Sequence, residues 1–304
     1  MKRLNDKKRK KKISKGDVIF CISLLLLPTL QFIIFYIGTN FNSFALAFKR
    51  YDLGDFVYDG WTNFAKVFSD IVSNPEVISA IKNSFIVYFV GLIVSMPLSI
   101  LFSYYIFKNF FGSKVFKILL FLPSILSALM LCVLYRYFVD QALPEIMLKL
   151  FGVKMLGLFA NMDTEYVALM IAQILFNFGT SMLLYLGAMS DINVSVLEAS
   201  KIDGANNWQQ FVNIILPMIT PTMKTFFICG LAGLFTNQFN LFNFYGLGAN
   251  TEYETIGYYF YKLTLMGESN YPYVAAFGLV ISLILIPITL GLNSLLNKVQ
   301  NKIM

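Results

Sequence analysis

The chain has 304 residues, of which 57% are hydrophobic and only 13% carry a charge. Because soluble domains carry charge on about a quarter of their residues, this composition excludes an ordinary soluble protein and is typical of a membrane protein. The formal net charge is +7, but nine basic residues precede the first apolar segment, which indicates a disordered tail that orients the first helix. No aromatic platform accompanies this tail, so a nucleic-acid interface is disfavoured.

Residue types that are missing limit the chemistry. The chain contains no histidine, and its three cysteines, Cys21, Cys132 and Cys229, all lie in apolar segments. It therefore lacks the commonest general base and the commonest nitrogen ligand of metals, and the cysteines predict no disulfide framework. For this reason we expect no metal site. No Gly-x-x-x-x-Gly-Lys-Ser/Thr phosphate loop occurs either, so we do not expect ATP to bind to this chain.

The apolar pattern predicts an all-α membrane protein. About 20 apolar residues are enough to cross a bilayer, and by this measure the chain has six transmembrane helices. A basic tail at residues 1–17 precedes them, a transmembrane domain spans residues 18–298, and a short tail follows at 299–304. The six predicted spans are residues 18–38, 81–107, 115–138, 166–189, 222–244 and 273–296.

The first apolar segment has two interpretations. A basic tail before an apolar stretch is also typical of a cleaved signal, and Ala45-Leu46-Ala47 resembles a cleavage site. The segment is longer than the signal core of about 7 to 15 residues, which favours a retained membrane anchor.

The distribution of charge predicts the topology. The two ends of the chain and the connections after the second and fourth spans, with the span ends beside them, carry sixteen basic and five acidic residues. The rest of the chain, with the connections after the first, third and fifth spans, carries eight basic and twelve acidic residues. The positive-inside rule places the first set, with both termini, in the cytoplasm. The polar segments at residues 39–80 and 245–272 then lie outside, as does an amphipathic helix predicted at residues 143–151.

A polar connection at residues 190–217 separates two apolar spans, so it can lie only at a membrane face. Gly204 can adopt the positive φ at which a short helix ends. A second helical piece follows, and Pro217 is expected to stop it. The segment is therefore predicted to be a rigid elbow. One side of its first helix is expected to hold Leu197, Ala199 and Ile202.

This connection resembles the EAA loop of ABC-importer permeases, which reads Glu-Ala-Ala, three residues, Gly, nine residues and Ile-x-Leu-Pro. Ser200 stands where that family usually has alanine, and serine is small enough to keep close packing. The positions that match are Glu198, Ala199, Gly204, Ile214, Leu216 and Pro217. In that family the loop is a coupling helix that docks in a groove of an ATPase. The resemblance implies this role for Leu197, Glu198, Ala199, Ser200, Ile202, Asp203, Gly204 and Ala205.

Two further segments resemble the MalF-like carbohydrate permeases. Gly60-Trp61-Thr62-Asn63-Phe64 is similar to a Gly-x-x-Asn-Phe segment after their first helix, although an aromatic cluster packed in a loop is the alternative. The stretch from Gly246 to Gly278 is similar to their outer loop and last helix, with Gly248-Ala249-Asn250 in place of the usual Gly-Gly-Pro.

These resemblances imply a type I ABC importer permease for a carbohydrate in the bacterial cell membrane. The implied partners are a second permease subunit, an ABC ATPase dimer that binds ATP and Mg, and an extracytoplasmic solute-binding protein. A permease makes and breaks no covalent bond, so the chain is not expected to be an enzyme. Two alternatives are an ABC permease for a non-sugar solute and an ion-coupled carrier, although the interiors of the second, fourth and sixth spans contain no ionisable residue.

Uncharged polar side chains in the fourth and fifth spans suit a neutral, hydroxyl-rich ligand. An amino acid or an ion would instead need a countercharge. The alternative role for each residue is to join helices, since amides in membrane helices commonly bond to one another. The candidates for the substrate path are Asn177, Ser181, Tyr185, Asn237, Gln238, Asn240 and Asn243.

Overall fold

A computed structural model describes residues 15–303. The predicted basic tail therefore lies outside the described residues, except for its last three positions. Within the described range, four helices are long and apolar enough to cross a membrane, and two bent helix pairs raise this number to as many as six. The four long helices are Val18–Leu46, Pro75–Phe107, Met162–Ser190 and Glu268–Lys298.

The first half of the chain forms eight α-helices and one β-hairpin. Its helices are α1 (Lys15–Gln31), α2 (Gly38–Leu46), α3 (Thr62–Ser73), α4 (Pro75–Val90), α5 (Met96–Phe107), α6 (Ser113–Phe121), α7 (Ala128–Tyr137) and α8 (Leu143–Phe151). Short π-helical segments join α1 to α2, α4 to α5, and α7 to α8, so each pair runs on as one helix. Residues 143–151, predicted as an amphipathic helix, are helical and form α8, which runs on from α7.

The second half is also helical. Its helices are α9 (Met162–Ser190), α10 (Val194–Ile202), α11 (Asn207–Gln210), α12 (Leu216–Met218), α13 (Thr220–Ala232), α14 (Leu241–Tyr245), α15 (Ile256–Met266) and α16 (Tyr271–Ile303). Helix α16 continues through nearly all of the stretch that the sequence predicted as a tail at 299–304.

Strands β1 (Lys49–Asp52) and β2 (Asp55–Tyr58) form the hairpin, and Asp52 pairs with Asp55 across its turn. The Asn63 amide donates hydrogen bonds to the carbonyl oxygens of Ala47, at 3.0 Å, and Lys49, at 2.7 Å. These bonds tie the start of α3 to the start of the hairpin. The Trp61 and Phe64 rings pack against each other beside them, with centroids 5.0 Å apart, so the Gly-x-x-Asn-Phe segment forms an aromatic cluster.

Helices α5 and α9 pack closely along the centre of the protein. The Ser103 hydroxyl is 2.7 Å from the Met182 carbonyl oxygen across this contact and 2.6 Å from the Ser99 carbonyl oxygen on its own helix. Helix α6 approaches α9 at Gly179, where an added Cβ would lie 2.5 Å from the Leu120 carbonyl oxygen. Small residues therefore allow the helix backbones to approach one another.

The third predicted span, residues 115–138, was wrong as a single helix. It bends by 111° between Ser113–Ile125 and Ala128–Phe151. Pro123 lies in a 3₁₀ turn at this break, and a proline removes a backbone donor and disfavours helical geometry in the residue before it. The Ser127 side chain then caps the new helix by accepting from the Met130 N–H at 3.3 Å.

The fifth predicted span, residues 222–244, was wrong beyond Ala232, where α13 ends. The chain then turns irregularly until α14, with Phe239 and Asn240 in the left-handed region at φ 55° and 54°. The Asn237 side chain accepts the Phe239 N–H at 2.8 Å, a local bond that competes with the helical ladder. Irregular backbone at membrane depth is tolerated where it lines a cavity.

A buried ion pair between Glu254 and Lys262 holds α15 in place. The Glu254 side chain is 1% exposed and the Lys262 side chain 11% exposed, and their charged groups are hydrogen-bonded. Burial raises the pKa of the Glu254 carboxyl, whereas the Lys262 ammonium opposes this shift. The Asn83 amide of α4 donates to the Glu254 carbonyl oxygen at 3.0 Å, which ties this loop to the bundle.

Replacing Glu254 with Gln leaves the Lys262 charge buried without a countercharge. We expect Glu254→Gln to lower the free energy of unfolding by about 3 kcal/mol, and the double variant with Lys262→Met to recover most of this loss. Denaturant unfolding of the detergent-solubilised protein measures both. Glu145→Gln, which breaks the exposed pair with Lys149, is the control and should change little. Equal losses of unfolding free energy in Glu254→Gln and Glu145→Gln would contradict this account.

Candidate functional site

Hydrogen bonds to backbone groups within the elbow at residues 190–217 fix its shape. The Asn193 side chain caps α10 by accepting the Ser195 N–H at 3.0 Å. Gly204 follows α10 at φ 83°, so the predicted positive φ is confirmed. The Ala205 N–H then donates back to the Ser200 carbonyl oxygen at 2.9 Å.

The second helical piece of the elbow starts with a capping box. The Asn206 side chain accepts the Gln209 N–H, and the Gln209 side chain accepts the Asn206 N–H, each at 2.8 Å. This reciprocal pair satisfies two backbone donors that a helix start leaves open. The turn between α10 and α11 is therefore rigid.

The second helical piece of the elbow runs from Asn207 to Met218 and ends one residue after Pro217, close to the predicted stop. A proline removes a backbone donor and disfavours helical geometry in the residue before it. The chain bends by 59° between Asn207–Met218 and Thr220–Ala232.

The expectation that Leu197, Ala199 and Ile202 share one side of α10 was also wrong. The Leu197 side chain is 9% exposed, whereas Ile202 is 88% exposed. Five residues correspond to about 140° around a helix, so these two side chains point in different directions. Ser200 faces inward with Leu197, and its hydroxyl donates to the Leu197 carbonyl oxygen at 2.7 Å. The serine that departs from the EAA pattern is thus a packing residue.

The opposite face of the elbow is open. The Trp208 side chain is 63% exposed and lies on α11, beyond the turn. The exposed members of the predicted coupling set are Glu198, Ala199, Ile202, Asp203 and Gly204. This face, with Trp208, is called the docking face below.

A cluster of buried side chains lies beneath the elbow and is called the elbow cluster. It consists of Ile100, Tyr104, Tyr185, Met189, Ile192, Leu197, Phe211, Ile215 and Ile219. These residues come from α5, α9, the elbow and the residue before α13, and Met223 and Phe226 of α13 pack against them. The elbow therefore packs on three membrane helices at once.

The end of α5 clamps the elbow through two polar side chains that sequence analysis missed. The Tyr104 hydroxyl donates to the Asn207 carbonyl oxygen at 2.6 Å, and its ring lies 4.6 Å from that of Phe211. The Lys108 ammonium donates to the buried Gln210 side chain. Burial and, to a lesser extent, the charge of Lys201 lower the pKa of Lys108. Sequence analysis missed these two contacts because their partners lie about a hundred positions apart in the chain, and no local pattern relates them.

A central cavity of about 290 Å³ opens among α4, α5, α9 and α13. Four of the predicted substrate-path residues line it, namely Asn177, Ser181, Tyr185 and Asn237. Sequence analysis missed four further polar lining residues, Ser84, Tyr88, Ser95 and Gln173. The spacing of four residues among Asn177, Ser181 and Tyr185 extends backwards to Gln173, so this signal was available.

The other three predicted path residues lie outside the central cavity. The Asn240 amide donates to the Gln173 side-chain oxygen at 2.9 Å, and the Asn243 amide donates to the Asn240 side-chain oxygen at 3.3 Å. Asn240 therefore joins the start of α14 to α9, whereas Asn243 bonds within its own turn. Gln238 lies in the irregular turn before α14, and its carbonyl oxygen accepts the Leu241 N–H at 3.0 Å.

Both candidate regions lack metal-binding chemistry. Within residues 15–303, no group of three or more His, Cys, Asp or Glu residues is placed to hold a metal ion. The lining of the central cavity contains hydroxyl, amide, thioether, aromatic and aliphatic groups but no ionisable Asp, Glu, Lys or Arg side chain. This cavity can offer hydrogen bonds and ring faces to a neutral ligand, and no countercharge to an ion.

Comparison with known proteins gives a consistent set of matches. Residues 95–303 match the family described as "Binding-protein-dependent transport system inner membrane component". The arabinooligosaccharides transport system permease protein AraP of Bacillus subtilis is 23% identical over 268 residues, which cover 86% of this chain and 83% of AraP. The maltose/maltodextrin permease MalF of Escherichia coli K12 is 28% identical over 188 residues, or 60% of this chain and 36% of MalF.

A solved structure shares the fold. A chain of a bacterial ABC transporter involved in the import of the acidic polysaccharide alginate superposes with a TM-score of 0.76 at 22% identity. The match covers 92% of this chain and 96% of that one.

Removing the Tyr104 hydroxyl should loosen the elbow. In Tyr104→Phe, we expect the backbone amides of residues 205–215 to exchange hydrogen about fivefold faster, because one hydrogen bond of about 1 kcal/mol is lost. Hydrogen exchange with mass spectrometry in nanodiscs measures this. Tyr105→Phe is the matched control, since its hydroxyl donates to the Phe111 carbonyl oxygen instead. Similar exchange at the elbow in both variants would contradict the clamp.

Proposed function

The chain belongs to the family of binding-protein-dependent transport system inner membrane components, and from this premise we propose that it is a permease subunit of an ATP-driven ABC importer for a carbohydrate. The substrate is an oligosaccharide or a glycoside. One observation carries this proposal: Tyr185 belongs both to the wall of the central cavity and to the elbow cluster. A displacement of the elbow is thereby passed to the place where a solute would bind.

The docking face is the contact for a separate ATPase subunit. It combines apolar side chains, Ile202 and Trp208, with the carboxylates of Glu198 and Asp203 on a rigid turn. Short amphipathic helices of this kind bind in grooves of a partner protein. Since this chain has no phosphate loop, ATP and Mg bind to the partner.

The chemistry of the central cavity supports a sugar. Its hydroxyls and amides, from Ser181, Gln173, Asn177 and Asn237, match the hydroxyl groups of a saccharide, and the Tyr88 and Tyr185 rings offer faces for stacking. The relatives are consistent with this class, since AraP and MalF are named for arabinooligosaccharides and for maltose and maltodextrin. A non-sugar neutral solute is the alternative substrate.

The working transporter contains further subunits. We assign to it a second permease, a dimer of ATPase subunits and an extracytoplasmic solute-binding protein, with both termini and the elbow of this chain in the cytoplasm. A related solved structure, the alginate transporter, is in complex with a pentasaccharide-bound periplasmic protein, which supports the last of these partners. In the membrane, the apolar α1 and its exposed side chains face lipid or the second permease.

Transport follows from these contacts. ATP-driven closure of the ATPase dimer displaces the elbow, and the elbow cluster moves α5, α9 and α13 together. The central cavity then opens to the outside and accepts the sugar from the binding protein, and ATP hydrolysis returns it to the inward-open state. The bent and broken helices at the third and fifth spans supply the positions at which the bundle can flex.

The backbone of Gly204 provides a test of the coupling role. At φ 83° an added Cβ meets no atom within 4 Å, so any effect of a substitution arises from backbone conformation and not from a clash. A β-branched residue in this region is strained by about 1–3 kcal/mol, whereas asparagine tolerates it. We expect Gly204→Val to reduce both co-purification of the ATPase subunit and ATP-dependent uptake about tenfold, and Gly204→Asn to retain most of both.

Affinity purification of the tagged chain with identification of its companions measures the first effect, and uptake by membrane vesicles the second. Full assembly and uptake in Gly204→Val would show that the elbow is not the coupling element. Failure of the wild-type chain to co-purify with any ATPase would overturn the proposed function itself.

A further inference from the structure

A second cavity, called the side cavity below, lies between α7 and α14 and has a volume of about 330 Å³. It shares no lining residue with the central cavity. Its polar lining consists of Arg136, Tyr137, Asp140, Gln141 and Asn243. The volume is within the range of small-molecule sites.

The charges in the side cavity balance each other and are held in place. The Arg136 Nε lies 3.7 Å from the Asp140 Oδ2, and the other Asp140 oxygen accepts the Phe159 N–H at 3.0 Å. The Arg136 guanidinium lies over the rings of Phe159 and Tyr245, at 5.4 and 5.8 Å from their centroids. Arg136 therefore packs onto the protein. The pair offers donors and acceptors without a net charge.

A row of amides connects the side cavity to the central cavity. Asn243 lines the side cavity and donates to Asn240, which in turn donates to Gln173 in the wall of the central cavity. Two hydrogen bonds thus separate the two linings. Because the amides hold each other, the positions of both cavities are fixed relative to one another.

We propose that the side cavity is a second saccharide subsite, which holds one sugar unit of an extended neutral oligosaccharide while other units occupy the central cavity. The balanced Arg136–Asp140 pair can bond to hydroxyl groups as donor and acceptor, and it offers no net charge to an acidic or basic solute. The ring of Tyr137, which is 61% exposed, provides a face for the apolar side of a sugar. The subsite rests on the proposed carbohydrate transport and narrows its substrate to glycans of several units.

The test compares short and long glycans in the complete transporter, reconstituted with its own binding protein in proteoliposomes. The probes are maltose with maltotetraose and arabinobiose with arabinotetraose, and initial uptake rates are measured at subsaturating concentration. Each variant is divided by the wild type for the same probe, so the length preference of the binding protein cancels. The variants are Asn243→Leu and Gln141→Leu, with Asn177→Leu for the central cavity and Asn42→Leu, an exposed amide on α2, as the control.

We expect Asn243→Leu and Gln141→Leu each to lower tetrasaccharide uptake about fivefold more than disaccharide uptake, because each removes a bond that only the longer glycan makes. Asn177→Leu should lower both lengths equally, and Asn42→Leu neither. Gln141→Leu serves as the second variant because, among the described residues, the Gln141 side chain makes no hydrogen bond to another side chain, whereas Asn243 also holds Asn240.

Two results would overturn the subsite and leave the proposed function standing. The first is an equal loss of disaccharide and tetrasaccharide uptake in Asn243→Leu and Gln141→Leu. The second is loss of the co-purifying second permease in both of these variants, which would mark the side cavity as a subunit interface. Absence of uptake of all four glycans by the wild type would overturn the subsite as a site for neutral oligosaccharides of these kinds, whereas the ATPase co-purification described above tests the proposed function separately.

Discussion

The packing of the elbow against the membrane helices is the constraint on which the rest of the structure depends. Tyr185, 1% exposed, lies at its centre, with its ring 4.8 Å from that of Phe226 on α13. The same side chain forms part of the central cavity wall. Since close-packed interiors transmit displacement, this shared side chain supports the proposed coupling between the elbow and the cavity wall.

The rigidity of the elbow comes from several weak interactions that act together. Backbone hydrogen bonds around Gly204, the capping box of Asn206 and the clamp by Tyr104 and Lys108 each contribute about 1 kcal/mol or somewhat more. A slack loop would absorb the displacement of a partner subunit. In the proposed function, this arrangement passes the displacement to α5, α9 and α13, which also line the central cavity.

Much of this architecture could be predicted from the sequence, because long apolar segments and the positive φ of Gly204 are local properties. The features that could not be predicted depend on which side chains meet in the folded chain, whether their positions in the sequence are near or far. Nothing in the sequence shows that Tyr104 meets Asn207, or that Lys262 finds Glu254 in the interior. The irregular stretch after Ala232 looked helical because its apolar content suits a span, whereas Asn237 bonds locally and ends the helix. Of the seven amide, hydroxyl and phenol candidates, the structure separates cavity residues such as Asn177 from a helix-joining residue such as Asn240.

The most direct test of the central claim is whether ATP at a separate subunit changes access to the cavity wall. A cysteine introduced by Ser181→Cys, in a chain whose three native cysteines are replaced by alanine, reports this access through its labelling rate with a membrane-impermeant maleimide. In proteoliposomes that hold the complete transporter, the account predicts that ATP with a hydrolysis inhibitor raises labelling from the outer side about tenfold or more, and that omission of the ATPase abolishes the change. A labelling rate that does not respond to ATP, or that responds equally without the ATPase, would contradict it.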